Sequence, residues 1–293
     1  MKRKSTLKDN NFFIHLFFIL FSLICVVPFI MLISVSFSSE NAVLNLGFSI
    51  FPREFTTAAY DAIFSNPSDL VRAVVVTAIS TVVGSFFSIL VMAMLGYTLA
   101  RPHFMFKKFI STMLLGTMLF GGGLIPTYII NTQVYHLGNN ILLYFLNGLV
   151  AAPTVFIFRT FFQQLPDGLI ESAELDGATE MQVLTKIVIP LSTACMAAYM
   201  FMQFIGRWND YSVSMYYMTD KRLFTLQYLL QLILNEVSML SQMAQKMGLT
   251  GTDMPNETLK FAMCVITTVP TLIVFPYFQK YFSKGMTLGS VKG

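Results

Sequence analysis

Long stretches of this chain contain no Asp, Glu, Lys or Arg, and its charges collect in the segments between them. The charge-free runs cover residues 10–39, 73–100, 109–158, 187–206 and 261–279. A helix rises about 1.5 Å per residue, so about 20 apolar residues cross a hydrocarbon core of roughly 30 Å. Four of the runs suit one crossing each. The run 109–158 suits two, because the turn-forming stretch NTQVYHLGNN (131–140) divides it. The pattern predicts an all-α, polytopic membrane protein with six transmembrane helices, approximately 12–35, 71–100, 109–130, 141–161, 187–207 and 259–281. The whole chain, 1–293, forms one membrane domain on this reading, with a polar segment at 162–186 and a large loop region at 208–258.

Local signals refine the picture. MKRKSTLK followed by apolar residues imitates a signal peptide, but the stretch from Phe12 to about Val35 is too long for such a leader and no clean small-residue cleavage site follows it. A retained first helix is expected, with Pro28 as a kink. Gly121–Gly123 with Pro126 loosens the third helix, either for close helix packing or to line a pathway. LFTLQYLLQLIL (223–234) is apolar yet too short to span, so it reads as an interfacial or re-entrant helix or a lid.

Composition supports the membrane reading: 55% of residues are hydrophobic, 12% are charged and mean hydropathy is +0.65. A soluble helical protein of this make-up lacks the polar faces to cover itself. Lys and Arg set the orientation, with twelve on the side of the N-terminus against seven on the other, among them Arg207. Both termini are therefore expected to be cytoplasmic. The net charge of +4 then reflects topology and points to a lipid bilayer, not to nucleic acid. Cys25, Cys195 and Cys264 lie in apolar spans, and His15, His103 and His136 fall in three different compartments, so neither a disulfide framework nor a metal site is expected. The 19 Met residues suit flexible packing at helix contacts.

Against this background, QQLPDGLIESAELDGATEMQVLTKIVIP (163–190) stands out for its carboxylates. It reads as two short helices meeting at Asp176-Gly177. Pro166 suits a helix start and Asp167 the positive end of the helix dipole. Leu169, Ile170 and Ala173 share a face, with Glu171 and Glu174 elsewhere on the wheel. Gly177 lets the chain turn, and small residues at Ala173, Gly177 and Ala178 would allow another protein to approach closely. The stretch is a rigid, acidic, amphipathic knob joined directly to the fifth helix through Pro190; an ordinary charged loop is the bland alternative.

The wording of the stretch resembles the EAA loop of ABC-importer permease subunits: E-A-A, three residues, Gly, nine residues, I-x-L-P. Glu171-Ser172-Ala173, Gly177, Ile187 and Ile189-Pro190 match that spacing, with Ser172 and Ile189 as conservative departures. FGGGLIPTY, RWNDY and the ending FPYFQKYFSKGMTLGSVKG are similar to the carbohydrate-uptake, maltose-permease-like branch, nearest to permeases for complex oligosaccharides and polysaccharides, including alginate-type importers. The resemblance implies a type I ABC importer permease fold and four kinds of partner. These are a second permease subunit, usually non-identical; two cytoplasmic ATPase subunits; an extracytoplasmic solute-binding protein; and the carbohydrate itself. It implies docking on the ATPase through Glu171, Ser172, Ala173, Asp176, Gly177 and Ala178.

No G-x-x-x-x-G-K-[ST] loop occurs, so no cofactor is expected in this chain, with ATP and Mg held by the partner ATPase. No nucleophile–base constellation is recognisable, which argues for a transport subunit over an enzyme. Substrate-pathway candidates are Tyr128, Asn131, Asn209, Asp210 and Tyr211, residues that can stack on or hydrogen-bond to sugars. Trp208 reads as an interfacial anchor or a structural residue in preference to a sugar contact. The outer stretch 236–257 is a candidate contact for the binding protein. The main rival is a secondary transporter of a polar solute, which usually carries intramembrane carboxylates that helices 2 to 6 lack.

Overall fold

A computed structural model of the protein describes residues 6–247 and 256–289. The expected cytoplasmic termini, at residues 1–5 and 290–293, and part of the outer stretch, at 248–255, lie outside the described residues. The described chain is helical, without strands. In order the helices are α1 (Thr6–Ser36), α2 (Glu40–Leu46), α3 (Ala58–Ile63), α4 (Pro67–Ala100), α5 (Lys107–Leu119), α6 (Leu124–Ile129), α7 (Leu142–Leu146) and α8 (Ala152–Phe162). There follow α9 (Asp167–Leu175), α10 (Glu180–Val183), α11 (Ile189–Leu191), α12 (Thr193–Trp208), α13 (Ser212–Tyr217), α14 (Leu226–Lys246) and α15 (Glu257–Gly289).

Among the described residues, three helices are long and apolar enough to cross a membrane: Phe12–Ser36, Pro67–Ala100 and Glu257–Tyr281. Two bent pairs raise this to five if each is one span: Lys107–Leu119 with Leu124–Val134, bent by 118°, and Glu180–Leu191 with Thr193–Trp208, bent by 84°. Ala152–Phe162 is a shorter apolar helix.

The straight crossings expected at 109–130, 141–161 and 187–207 are thus broken, each for a local reason. Phe120 is extended and Gly123 takes φ +80°, which turns the chain between α5 and α6. Among the described residues no atom lies within 4 Å of where a Cβ would stand on Gly121, Gly122 or Gly123, so close packing is not what these glycines provide there. Asn147 is extended and Gly148 has φ +68°, which separates α7 from α8. Pro190 has no amide hydrogen to donate, the turn before it widens to a π-helix at Leu184–Val188, and the bend follows at Ser192. The Thr193 hydroxyl donates to the Pro190 carbonyl (2.6 Å), which satisfies an acceptor the break sets free.

The chain divides into two compact units. In the first, residues 1–67 and 230–269, the buried Glu40 carboxylate caps the start of α15, accepting from the amides of Glu257 (2.8 Å) and Thr258 (2.9 Å) and from the Thr258 hydroxyl (2.9 Å). Phe37 stacks between Phe55 and Tyr60 in the same unit.

The second unit, residues 68–229 and from 270 onward, is organised on α4. One face of this helix carries Thr77, Ser80, Thr81, Gly84, Ser85, Ser88 and Gly96, small residues at helical spacing that are buried. Thr77 Oγ1 accepts from the Leu226 amide at the start of α14 (2.8 Å). At the other end Met92, Ala93 and Tyr97 join Val155, Phe158 and Phe162 of α8, Ile170 of α9 and Val183, Leu184 and Val188 in one apolar cluster. A Cβ on Gly96 would stand 2.7 Å from Phe158 Cβ and 3.1 Å from the Arg159 backbone nitrogen. Backbone cannot yield there, so Gly96→Ala is expected to destabilise the protein by about 1–3 kcal/mol. Thermal unfolding in detergent checks this, with Gly116→Ala, where a Cβ meets nothing within 4 Å, expected to leave the midpoint the same or higher.

Candidate functional site

The acidic knob is built by a stop signal and a start signal. Helix α9 ends in a Schellman motif, in which the Ala178 amide donates to the Ala173 carbonyl (2.9 Å) and the Gly177 amide to the Glu174 carbonyl (3.0 Å). Gly177 supplies the left-handed residue this motif needs, at φ +80°. Thr179 then opens α10 with a capping box: its hydroxyl accepts from the Gln182 amide (3.4 Å), and Gln182 Oε1 accepts from the Thr179 amide (2.8 Å). Two helices expected to meet at Asp176-Gly177 are α9 and α10.

Burial holds this unit onto the bundle. Ile170 and Val183 are buried in the apolar cluster, and the half-buried Ala173 and Ala178 pack against it. The two alanines therefore face the chain's own core, where sequence suggested room for a partner. Electrostatic pins add direction. Arg101, just past the end of α4, makes ion pairs with Glu174 and Glu180, and the Tyr97 hydroxyl donates to Glu180. Partly exposed pairs of this kind each contribute under about 1 kcal/mol. Burying a side chain such as Ile170 or Val183 contributes about 1.5–3 kcal/mol, so burial anchors the knob and the pins orient it. Desolvation alone would lower the Arg101 pKa; Tyr97, Glu180 and Glu174 outweigh it and hold the guanidinium above its ordinary value.

What remains outward is a compact tip. Glu171, Ser172, Asp176 and Gly177 are exposed, and Leu175 is 89% exposed. Glu171 and Asp176 have no side-chain partner among the described residues. No atom lies within 4 Å of where a Gly177 Cβ would stand, so its surface is open. Half of the carboxylate cluster thus serves the fold and half faces away. Arg101 and Tyr97, which divide it so, carry no sequence signal beyond a cation at a helix end, 73 residues before Glu174.

A second polar constellation lies inside the bundle. A cavity of about 340 Å³ is lined by Ser80, Tyr144, Asn147, Thr154, Gln203, Arg207 and Asp210, among others. Arg207 reaches toward the middle of α4: its Nη2 donates to Ser88 Oγ (2.7 Å) and its Nη1 to the Tyr144 carbonyl (2.5 Å). Of the pathway candidates, Asp210 lines this cavity and Asn131 lines a neighbouring one of about 590 Å³, with Asn147 and Gly148 on both walls. Tyr128 stacks on Tyr217 (5.5 Å between centroids), whose hydroxyl accepts from Asn131 (3.3 Å). Asn209 accepts from Gln227 (3.0 Å), and Tyr211 is 49% exposed at the start of α13. Tyr128, Asn209 and Tyr211 line neither cavity. Trp208 is buried and stacked on Phe204, which is the structural one of its two expected roles.

The described chain thus combines helices apolar enough to span a membrane with a polar cavity and an exposed helical knob, both in the second unit. The chain belongs to the family of binding-protein-dependent transport system inner membrane components, matched over residues 8–288. It is 34% identical to the polygalacturonan/rhamnogalacturonan transport system permease protein YtcP of Bacillus subtilis (strain 168), over 96% of this chain and 97% of the relative. Protein LplC of the same organism is 35% identical over 92% and 90% of the two chains. In fold it is similar to a crystal structure of a bacterial ABC transporter involved in the import of the acidic polysaccharide alginate, with a TM-score of 0.76, 23% identity and coverage of 96% of this chain and 99% of that one. The protein is thus an inner-membrane transport component and not an enzyme.

The division of the knob has a measurable consequence. Arg101→Ala removes the two ion pairs and leaves the Tyr97 bond and the apolar anchor, so amide exchange across 167–183 is expected to quicken by about fivefold, the equivalent of about 1 kcal/mol. Hydrogen-exchange mass spectrometry of the membrane-reconstituted protein reads this directly. Equal exchange in the two proteins would mean the ion pairs do not orient the knob.

Proposed function

We propose that this chain is the membrane-spanning permease subunit of an ATP-driven importer of an oligo- or polysaccharide. The observation that carries the reading is the exposed tip of Glu171, Leu175 and Asp176 on a helix anchored to the transmembrane cluster. Such a tip, stiff on one side and open on the other, passes a push from a soluble partner into the bundle. On this reading residues 162–186 form the cytoplasmic coupling loop, and Glu171, Ser172, Asp176 and Gly177 meet the partner. Ala173 and Ala178 hold the tip against the core.

Six crossings follow if α7 with α8 completes a span beside the three long helices and two bent pairs. Both termini then lie in the cytoplasm, and 208–258 is the outer loop region that meets a solute-binding protein. Two cytoplasmic ATPase subunits hold ATP and Mg, and a second, non-identical permease closes the pathway. The names of the relatives, which include a polygalacturonan/rhamnogalacturonan permease and an alginate importer, support a saccharide as cargo. Asn131 and Asp210 are the pathway candidates best supported, since each lines a cavity, and Tyr128 acts behind Asn131 through Tyr217.

Purification from native membranes in mild detergent, with mass spectrometry of co-purifying chains, tests the assembly. An ATPase and a second permease are expected; transport that persists without ATP would point to a secondary transporter instead. Substitution at Gly177 tests the coupling loop. Gly177→Trp is expected to leave an assembled complex that hydrolyses ATP while saccharide uptake falls at least about tenfold. Gly177→Ala carries a similar left-handed backbone cost of about 1–2 kcal/mol but little bulk, and should keep most uptake. Wild-type uptake by the Trp variant would sink the docking role.

A further inference from the structure

The Arg207 cavity is more than a structural clamp. Gly84 and Ser88, against which the guanidinium lies, stand in the middle of α4, a helix long enough to span the hydrocarbon core. A cation at that depth is costly and is kept where it meets a partner or a polar cavity. The chain makes room for it: a Cβ on Gly84 would stand 2.8 Å from Arg207 Nη1. Ser88 and the Tyr144 carbonyl engage the two Nη groups, yet the buried Nε has no acceptor among the described residues. A clamp evolved only to tie helices together gains nothing from an unpaired buried donor, which costs about 1–3 kcal/mol.

Asp210 lines the same cavity without an ion pair to Arg207 among the described residues. Its Oδ1 accepts from the Ser212 amide (2.9 Å) and hydroxyl (2.5 Å), while its other oxygen has no partner there. The cavity wall therefore carries a guanidinium charge with no carboxylate paired to it and a charged acceptor with a spare oxygen, together with Asn147, Gln203 and Tyr199. That pairing matches a sugar ring with a carboxylate on one edge and vicinal hydroxyls on the opposite edge. A neutral hexose offers a hydroxymethyl group where the carboxylate would be and gains little from a buried cation. A carboxylate crossing a low-dielectric region needs one. The volume of about 340 Å³ suits a short saccharide segment.

We propose that this cavity is a subsite selective for a uronic-acid residue, in which Arg207 takes the ring carboxylate and Asp210 accepts from the vicinal hydroxyls. The assignment rests on the saccharide-importer reading above. The test uses the complete importer in proteoliposomes, with ATP inside and binding protein outside, and measures uptake of trigalacturonate and of its carboxyl-reduced, neutral counterpart. Taking the ratio of variant to wild type for each sugar cancels the binding protein's own preference. For Arg207→Gln, uptake of the uronate is expected to fall at least tenfold further than that of the neutral sugar, with Arg207→Lys recovering part of the difference.

Gly206→Glu is the second variant, in case loss of Arg207 prevents assembly. Gly206 lines the cavity, and a Cβ there meets nothing within 4 Å, so the new carboxylate enters open space and leaves the Ser88 and Tyr144 bonds in place. It is expected to lower uronate uptake at least tenfold further than neutral uptake. Equal losses for the two sugars in an assembled complex, or no loss for either, would overturn the subsite. Failure of the wild-type complex to move either sugar, or any other saccharide, in an ATP-dependent way would overturn the importer reading, and the subsite with it.

Discussion

The close approach that the small-residue face of α4 permits is the constraint on which the second unit rests. In a membrane there is little hydrophobic gain from bringing two helices together, so packing and hydrogen bonds must hold them. Gly96 lets the α8 backbone come within van der Waals range, Gly84 leaves space for a guanidinium, and Ser88 and Thr77 offer hydroxyls to Arg207 and to the start of α14. Larger side chains at these positions would push away the elements that form the cavity and carry the knob. Helix α4 is therefore both a span and the surface on which the rest of this unit is assembled.

Polar groups in this unit fall into two kinds of place, and the physics differs between them. At the end of α4, Arg101 and the carboxylates of the knob are partly exposed, so their attraction is screened and serves orientation more than stability. Around Arg207 the surroundings are apolar helices, and each donor or acceptor left unpaired is expensive. The same residue type thus orients a surface element in one place and lines a polar cavity in the other. If the proposed coupling holds, α4 joins the two, with the knob pinned at its end and the cavity on its middle.

Unit one follows another local rule. Glu40 is buried, a placement rare for a carboxylate, because the first amides of α15 have no partner within their own helix. A negative charge at a helix start meets both those amides and the positive end of the helix dipole. The aromatic stack of Phe55, Phe37 and Tyr60 covers the segment that follows α1.

Much of this was legible in the chain itself. Charge-free runs long enough to cross a bilayer declare a membrane protein, because burying apolar surface needs only composition and length. The knob was legible too: the Schellman end at Gly177 and the capping box at Thr179 and Gln182 are made by residues within six positions of one another. Only tertiary structure decided the rest. Glu174 and Glu180 turn toward Arg101, more than 70 residues earlier, because packing brings it beside them. Nothing in the sequence near Arg207 announces Ser88, 119 residues away, which comes within 2.7 Å of it. Spans that look continuous in hydropathy bend at Gly123 and after Pro190, since hydropathy records what a segment can bury and not the path its backbone takes. Short-range hydrogen bonds are specified by neighbouring residues, whereas pairings across helices exist only once packing has brought the helices together.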